Sequence, residues 1–269
     1  MINSIINQAP LFLLIFARTS GLIFTLPLLS TRTVSRIAKI ALAGYMSFIL
    51  IPSADFSSYG FYVTGDGVFS IYYIFLLIGE VMIGVIIGFF VSMIFAAFST
   101  AGQFFAFQMG FSAASAFDSL SQVENPLMGQ YFNFIGILVF LQNQWFQKIF
   151  IRGLSKSLNS LNAISLVENR EGIVKFLLKG LTNLFSDALV ISLPIIGTLL
   201  LITVCTGLLS KAAPQMNLLS EGFPIMLIVS FIILFFLIPF LCSFFVRAFN
   251  TGFSDLINFI ESFSKGGKG

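Results

Sequence analysis

The chain has 269 residues, of which 57% are hydrophobic and 9% are charged, and its net charge is +3. Soluble domains average about 25% charged residues, so this chain cannot cover a water-facing surface, and a soluble enzyme is excluded. It contains no histidine, which excludes the zinc motif His-Glu-x-x-His and any Ser/His/Asp triad.

Six apolar runs approach the roughly 20 residues that a membrane-spanning helix needs. They cover residues 9–29, 37–53, 68–98, 131–147, 181–209 and 223–249, and a weaker seventh candidate covers 101–117. We therefore expect an all-α polytopic membrane protein that is not an enzyme, with a single membrane-embedded domain over residues 1–269. No metal or other cofactor is expected, and the scattered basic residues indicate no nucleic-acid partner.

Loop charges predict the orientation of the chain. Residues 30–39 carry three cations whereas 54–67 carry only aspartates, so the positive-inside rule places the first loop in the cytoplasm and the second outside, with the N-terminus external. The basic segment 148–180 and the C-terminal tail 250–269 are then cytoplasmic. The first part of that basic segment mixes apolar and basic residues and is predicted to lie along the inner membrane surface. Alternation requires residues 101–117 to cross back or to re-enter and turn.

Three glycines interrupt the apolar run 68–98. Gly79 precedes Gly84 and Gly88, which form a Gly-x-x-x-Gly motif. The missing side chains let a second helix approach closely, and such contacts drive helix association in lipid. These residues predict helix packing and no chemistry.

Ionisable side chains inside the apolar runs are candidate functional residues, because each costs about 2.5 to 3.5 kcal/mol at the bilayer centre. These buried charges are Arg18, Glu80, Asp187, Lys211 and Arg247. They either line a polar path for ions or a substrate, or pair within a helix bundle or against a partner subunit. We favour pairing, since buried charges are usually paired, and Arg18 with Glu80 is one candidate pair.

The stretch 99–119 differs from every other apolar part of the chain, because it combines small residues, glutamines, serines and five phenylalanines. A regular lipid-facing helix would not need this polarity, and irregular backbone at membrane depth is tolerated only where it is buried or lines a cavity. The composition suggests a loop that lines or blocks a passage. It suits a helix buried at a subunit interface equally well.

The order of short motifs along the chain resembles the FliR/SctT family of type III protein-export gate subunits. The matching pieces are Arg18 with Pro27; Arg32, Arg36 and Lys39; Gly84 and Gly88; Thr100-Ala101-Gly102-Gln103; Gln108-Met109-Gly110; Asp118; Gly207-Leu208-Leu209; Ala213-Pro214-Gln215 with Asn217; and Gly222-Phe223-Pro224. The chain departs from the family pattern at Lys211, where many members have Arg, and at Ser119, where many have Pro. Residues 142–145 replace an Asn-Gly-His type of sequence.

This resemblance implies a non-enzymatic channel subunit of the flagellar export gate in the bacterial inner membrane, at the flagellar basal body. Its implied partners are P-type and Q-type subunits around a central pore, FlhB at the cytoplasmic end, FlhA, and the unfolded flagellar proteins that pass through. It implies a re-entrant pore plug within 105–119, carried by Gln108, Met109, Gly110, Phe111, Phe117 and Asp118. It also implies helical hairpins buried against neighbouring subunits, so that hydropathy can overstate the number of lipid crossings.

Two alternatives use the carboxylates differently. A stand-alone secondary transporter would couple transport through Arg18, Glu80 and Asp187, but such folds often show internal repeats, and none is visible in this sequence. An intramembrane aspartyl hydrolase would need two opposed carboxylates in a recognisable motif. Glu80 and Asp187 lie in no such motif.

Overall fold

The computed structural model describes residues 2–31, 34–54, 59, 71–109, 127–212 and 223–266. These ranges are almost entirely helical and contain no strand, so the all-α prediction is confirmed. The helices are α1 Ile2–Thr25, α2 Pro27–Ser30, α3 Arg36–Leu50, α4 Ile71–Gln108, α5 Leu127–Gln142, α6 Trp145–Ser160, α7 Ala163–Glu168, α8 Arg170–Ala212 and α9 Phe223–Gly266. The middle of α6, Lys148–Leu154, is π-helical.

Helix boundaries follow from local sequence. Helix α1 ends at Thr25 because Pro27 starts a new helix, and Leu26 before it is extended, with φ of −63° and ψ of 127°. The Ser35 side chain caps α3 by accepting a hydrogen bond of 3.2 Å from the Ala38 backbone N–H. Asn162 and Ser165 form a reciprocal capping box at the start of α7.

The described residues contain four helical stretches that are long and apolar enough to cross a membrane, which confirms a polytopic membrane protein. They are Arg36–Ser53, Ile71–Gln108, Arg170–Leu209 and Pro224–Phe263, and α5 with α6 makes a fifth if that broken pair is one span. The expected span over 9–29 lies mostly on α1, Ile2–Thr25, and its last residues belong to the separate short helix that Pro27 begins. Of the weaker candidate 101–117, residues 101–108 continue the helix Ile71–Gln108, and residues 110–117 lie outside the described residues.

Helix α4 runs unbroken for 38 residues and includes the first half of the stretch in which a loop was expected. Residues 99–108 are therefore the last turns of a long helix. No proline interrupts them, and the alanines there are strong helix formers. Gly102 serves close packing, because a Cβ at this position would meet the Gly129 backbone nitrogen of α5 at 2.8 Å. Any loop begins no earlier than Met109.

The chain divides into two compact units. Unit 1 comprises Met1–Met93, Gln144–Gly180 and Asn250–Gly269, and unit 2 comprises Ile94–Asn143 and Leu181–Phe249. The single domain expected over 1–269 thus contains two units.

The core of unit 1 joins three of its segments. Phe176 of α8 stacks on Phe90 of α4 and on Phe259 of α9, with ring centroids 4.3 Å and 4.0 Å apart. Lys179 donates to Asp255 at 2.9 Å, and Lys156 pairs with Glu261. The basic segment 148–180 and the tail therefore lie together.

The core of unit 2 is built from phenylalanines. Phe245 of α9 is 1% exposed, and its ring centroid lies 3.8 Å from that of Phe98 and 4.7 Å from that of Phe249. Gly136 of α5 lies directly against the Phe245 ring, where no larger side chain fits. Aromatic pairs of this kind add stabilisation beyond the area that they bury.

Candidate functional site

Two of the predicted charges form a buried ion pair in unit 1. Arg18 of α1 and Glu80 of α4 are fully buried, and the Arg18 Nε lies 2.5 Å from the Glu80 Oε2. They meet because the two helix backbones touch. A Cβ at Gly84 would collide with the Arg18 carbonyl, and one at Gly88 would collide with Thr25.

The ion pair is held by a wider polar network, here called the Arg18 cluster: Arg18, Tyr59, Glu80, Ser157 and the backbones of Leu161 and Ala163. Arg18 donates from Nη1 to the Ser157 hydroxyl at 3.1 Å and from Nη2 to the Leu161 carbonyl at 2.8 Å. The Tyr59 hydroxyl donates to Glu80 Oε1 at 2.8 Å and accepts from the Ala163 backbone N–H. Segments from α1, α4, α6 and the start of α7 therefore converge on one guanidinium.

The electrostatics of this cluster suit a structural role, in which it holds helices together. Burial, and next the Glu80 carboxylate, raise the pKa of the Tyr59 phenol far above its ordinary value, so Tyr59 remains a hydrogen-bond donor. Each charge has fixed partners, and neither side chain reaches the surface. Breaking a buried pair leaves an uncompensated charge and is strongly destabilising. The cluster can hold helices together, and it offers no accessible group to a solute.

One contact of the cluster joins two loops that were expected on opposite sides of the membrane. Tyr59 belongs to the loop 54–67, which was expected outside, and Ala163 belongs to the segment 148–180, which was expected in the cytoplasm. A hydrogen bond between them means that no membrane separates the two segments at this point. The part of the basic segment that holds Ser157, Leu161 and Ala163 reaches the Arg18 cluster, midway along α1, and packs against the chain's own helices.

The other three predicted buried charges are not buried within the chain. Asp187 of α8 is half-buried, and Lys211 of α8 and Arg247 of α9 are exposed. The Arg247 guanidinium lies 5.8 Å from the centroid of the Phe244 ring. Apolar neighbours in sequence predicted burial, but the described residues leave the faces of α8 and α9 that carry these side chains at least partly exposed.

The third packing glycine contacts a different element. A Cβ at Gly79 would collide with the Cβ of Ala163, the residue that also donates to Tyr59. The three glycines thus lie where α4 meets α1 and α7, next to the Arg18 cluster.

The residues assigned to a pore plug are only partly described. Gln108 is the last residue of α4 and is half-buried, and Met109 is fully buried, with its N–H donating to the Phe105 carbonyl at 3.0 Å. Both belong to unit 2. Gly110, Phe111, Phe117 and Asp118 lie outside the described residues.

Sequence reasoning did not find three of the buried polar residues. Tyr59 lies in a loop that was considered only for its aspartates, and Ser157 lies in a segment interpreted as an amphipathic surface helix. Lys39 was counted as a loop cation, yet it is 6% exposed, and its Nζ donates to the Thr31 carbonyl at 3.1 Å. Of the three, only the burial of Ser157 could have been predicted, because helical spacing places it between Leu154 and Leu161 on the apolar face of that segment.

Comparison with known proteins defines the class. Residues 9–252 match the family described as bacterial export proteins, family 1. The chain therefore belongs to this family of bacterial export proteins, and the FliR/SctT resemblance is confirmed.

Similar proteins include flagellar biosynthetic and surface-presentation proteins. The flagellar biosynthetic protein FliR of Borreliella burgdorferi is 35% identical over 191 residues, 71% of each chain. FliR of Bacillus subtilis is 29% identical over 86% of this chain and 87% of its own. The surface presentation of antigens protein SpaR of Shigella sonnei is 30% identical over 82% of each chain.

Proposed function

We propose that this chain is a non-enzymatic subunit of the flagellar type III export gate. It forms, with P-type and Q-type subunits, the channel through which unfolded flagellar proteins leave the cell. FlhB and FlhA are further partners. The complex lies in the bacterial inner membrane at the flagellar basal body.

The uncovered apolar surface of the long helices carries this proposal. Only 17% of the most apolar stretch of α9 and 28% of that of α8 is buried within the chain, compared with 50% for α4. Phe235 and Phe236 of α9 are 71% and 75% exposed. Apolar surface on this scale needs lipid or other subunits around it. A subunit of a multi-helix gate meets that need.

The stand-alone transporter is less well supported. Its three coupling charges would have to face an opening, yet Arg18 and Glu80 are fully buried with fixed partners. Asp187 is the only one of the three with solvent exposure.

We further propose that Gln108, Met109, Gly110, Phe111, Phe117 and Asp118 belong to a plug that closes the pore. Support comes from the end of α4 at Gln108 and from the small and polar residues that follow it directly. Met109 is flexible and polarizable, and phenylalanines fill irregular gaps, so these side chains suit a seal without fixed polar geometry.

For orientation, we propose an external N-terminus and a cytoplasmic C-terminus. The tail shares its side with the basic segment 148–180, because Lys179 bonds Asp255 and Lys156 bonds Glu261. Lys175 and Lys179 are exposed there, as expected for a cytoplasmic surface.

Copurification tests the assignment to the gate. A tagged full-length chain, coexpressed with P-type and Q-type subunits and extracted in mild detergent, should recover both in one complex. Recovery of the chain alone, together with uptake of a small solute by the purified chain, would instead establish the transporter.

Conductance of the reconstituted complex tests the plug. Replacing Phe111 and Phe117 by Ala, or deleting 108–114, should raise passive ion leak because the seal loses its bulky groups. Phe107→Ala is the matched control, since this exposed phenylalanine lies on α4 next to the plug positions. Unchanged conductance in the plug variants would refute the plug.

A further inference from the structure

Helix α8 has one face toward the core of unit 2 and another that nothing described covers. Its buried face is marked by residues at helical spacing that are 0% exposed: Ala188, Ile191, Ile195 and Leu199. A different row, here called the Asp187 seam, repeats with alternating spacings of four and three residues: Asn183, Asp187, Val190, Pro194, Gly197, Leu201, Val204 and Leu208. This spacing is the one that places side chains along the contact line between two packed helices.

The seam is accessible along its length. Leu201 and Leu208 are each 63% exposed, and Asn183 and Asp187 at its start are half-buried. A Cβ at Gly197 would have nothing within 4 Å, so the helix backbone is open to close approach at this point.

The start of the seam carries polar groups that lipid alone cannot satisfy. Asp187 forms no hydrogen bond or ion pair with any described residue. Pro194 lacks an N–H, so the Val190 carbonyl one turn before it loses its helical donor. A carboxylate, and a carbonyl that lacks its helical donor, are costly in hydrocarbon, and such groups normally find a partner in protein.

We propose that the Asp187 seam docks one helix of a neighbouring export-gate subunit, and that this helix presents a basic side chain, Arg or Lys, to Asp187. The inference rests on the proposed function, because it needs a neighbouring subunit. The complementary charge neutralises the carboxylate. The donors of a guanidinium can also serve the Val190 carbonyl, and the apolar part of the seam packs against apolar residues of the same helix.

Substitutions at Asp187 test the charge. In the complex of the tagged chain with P-type and Q-type subunits, Asp187→Asn should lower the subunits recovered per chain by roughly tenfold, because it leaves the partner cation unpaired. Asp187→Lys should abolish recovery, and Asp187→Glu should preserve most of it. Asp255→Asn is the matched control, since it removes the same charge from a half-buried aspartate of unit 1, which pairs with the exposed Lys179, and should leave recovery unchanged.

Three readouts separate docking from misfolding. Each variant chain should keep the wild-type helix content in far-UV circular dichroism. An acidic replacement of the partner's basic residue should restore recovery with Asp187→Lys. A photo-crosslinking residue at Leu201 should cross-link to a gate subunit.

The proposal fails if Asp187→Lys recovers subunits at the wild-type level, or if Leu201 cross-links to lipid alone. If the wild-type chain itself recovers no P-type or Q-type subunit, the proposed function fails together with the docking proposal.

Discussion

Arg18 in unit 1 and Asp187 in unit 2 are each the single charge of an apolar run, 9–29 and 181–209, yet their surroundings differ. Arg18 is fully buried and bonded to a carboxylate, a hydroxyl and a carbonyl. Asp187 is half-buried, and no described residue bonds to it. The difference arises from the helix faces, because Gly84 lets α4 reach Arg18, whereas no described element covers the Asp187 seam. A charge in an apolar run thus stabilises the fold where a second helix approaches it, as at Arg18, whereas the proposed role of Asp187 is to bind a helix of another subunit.

The largest effect is expected from breaking the Arg18 cluster. Glu80→Ala leaves the buried guanidinium without its counter-charge and should lower the free energy of unfolding by about 3 to 5 kcal/mol. Unfolding can be followed by circular dichroism as SDS is titrated into detergent micelles. Asp255→Ala, at the exposed pair with Lys179, should cost less than about 1 kcal/mol. Equal losses of unfolding free energy in the two variants would show that the cluster does not hold the helices together.

The phenylalanine core of unit 2 gives the next prediction. Phe245→Ala removes a ring that is 1% exposed and should cost about 3 to 4 kcal/mol by the same measurement. Phe235→Ala, at a 71% exposed position of the same helix, should change the stability of the chain by no more than about 0.5 kcal/mol. A large loss at Phe235 would mean that the chain itself covers that face of α9.

Disrupting the helix contact at Gly84 is expected to have an intermediate effect on stability. Gly84→Ala forces α1 and α4 apart, because the added methyl meets the backbone of Arg18, and it should cost about 1 to 3 kcal/mol. Gly44→Ala in α3 is the control, since its added methyl has nothing within 4 Å. That variant should gain up to about 1 kcal/mol from helix propensity. A neutral Gly84→Ala would contradict the close contact.

These contrasts show which features the sequence could reveal. The Gly-x-x-x-Gly motif and the rarity of charges in apolar runs predicted packing at Gly84 and a pairing of Arg18 with Glu80, because both depend on local chemistry. Tyr59 and Ser157 could not be assigned to the same cluster, since their contacts join segments far apart in the chain. Loop charges could not show that the loop 54–67 meets the segment 148–180, because the contact of Tyr59 with Ala163 joins residues far apart in the chain.

The end of α4 shows a similar limit. Small and polar residues suited both a loop and a buried helix, and only the contact between Gly102 and the backbone of α5 distinguishes the two over residues 99–108. The part of the plug that would test the remaining prediction, Gly110 to Asp118, lies outside the described residues.

The smallest predicted effect has the opposite sign and concerns the joint between α5 and α6. Gln144 adopts a left-handed conformation with φ of 56°, the only described non-glycine residue to do so. Left-handed backbone is unfavourable for a residue with a Cβ and favourable for glycine, so Gln144→Gly should raise the free energy of unfolding by roughly 0.5 to 1 kcal/mol after the added entropy of the unfolded chain is subtracted.

Gln147→Gly is the matched control for this joint, because Gln147 has ordinary helical angles, with φ of −63° and ψ of −41°. The same change there should lower stability by about 1 kcal/mol. Both glutamines are exposed, so lost side-chain contacts do not distinguish them. SDS titrations of the two variants should therefore shift in opposite directions. A loss in both would mean that residue 144 is not held in the left-handed region.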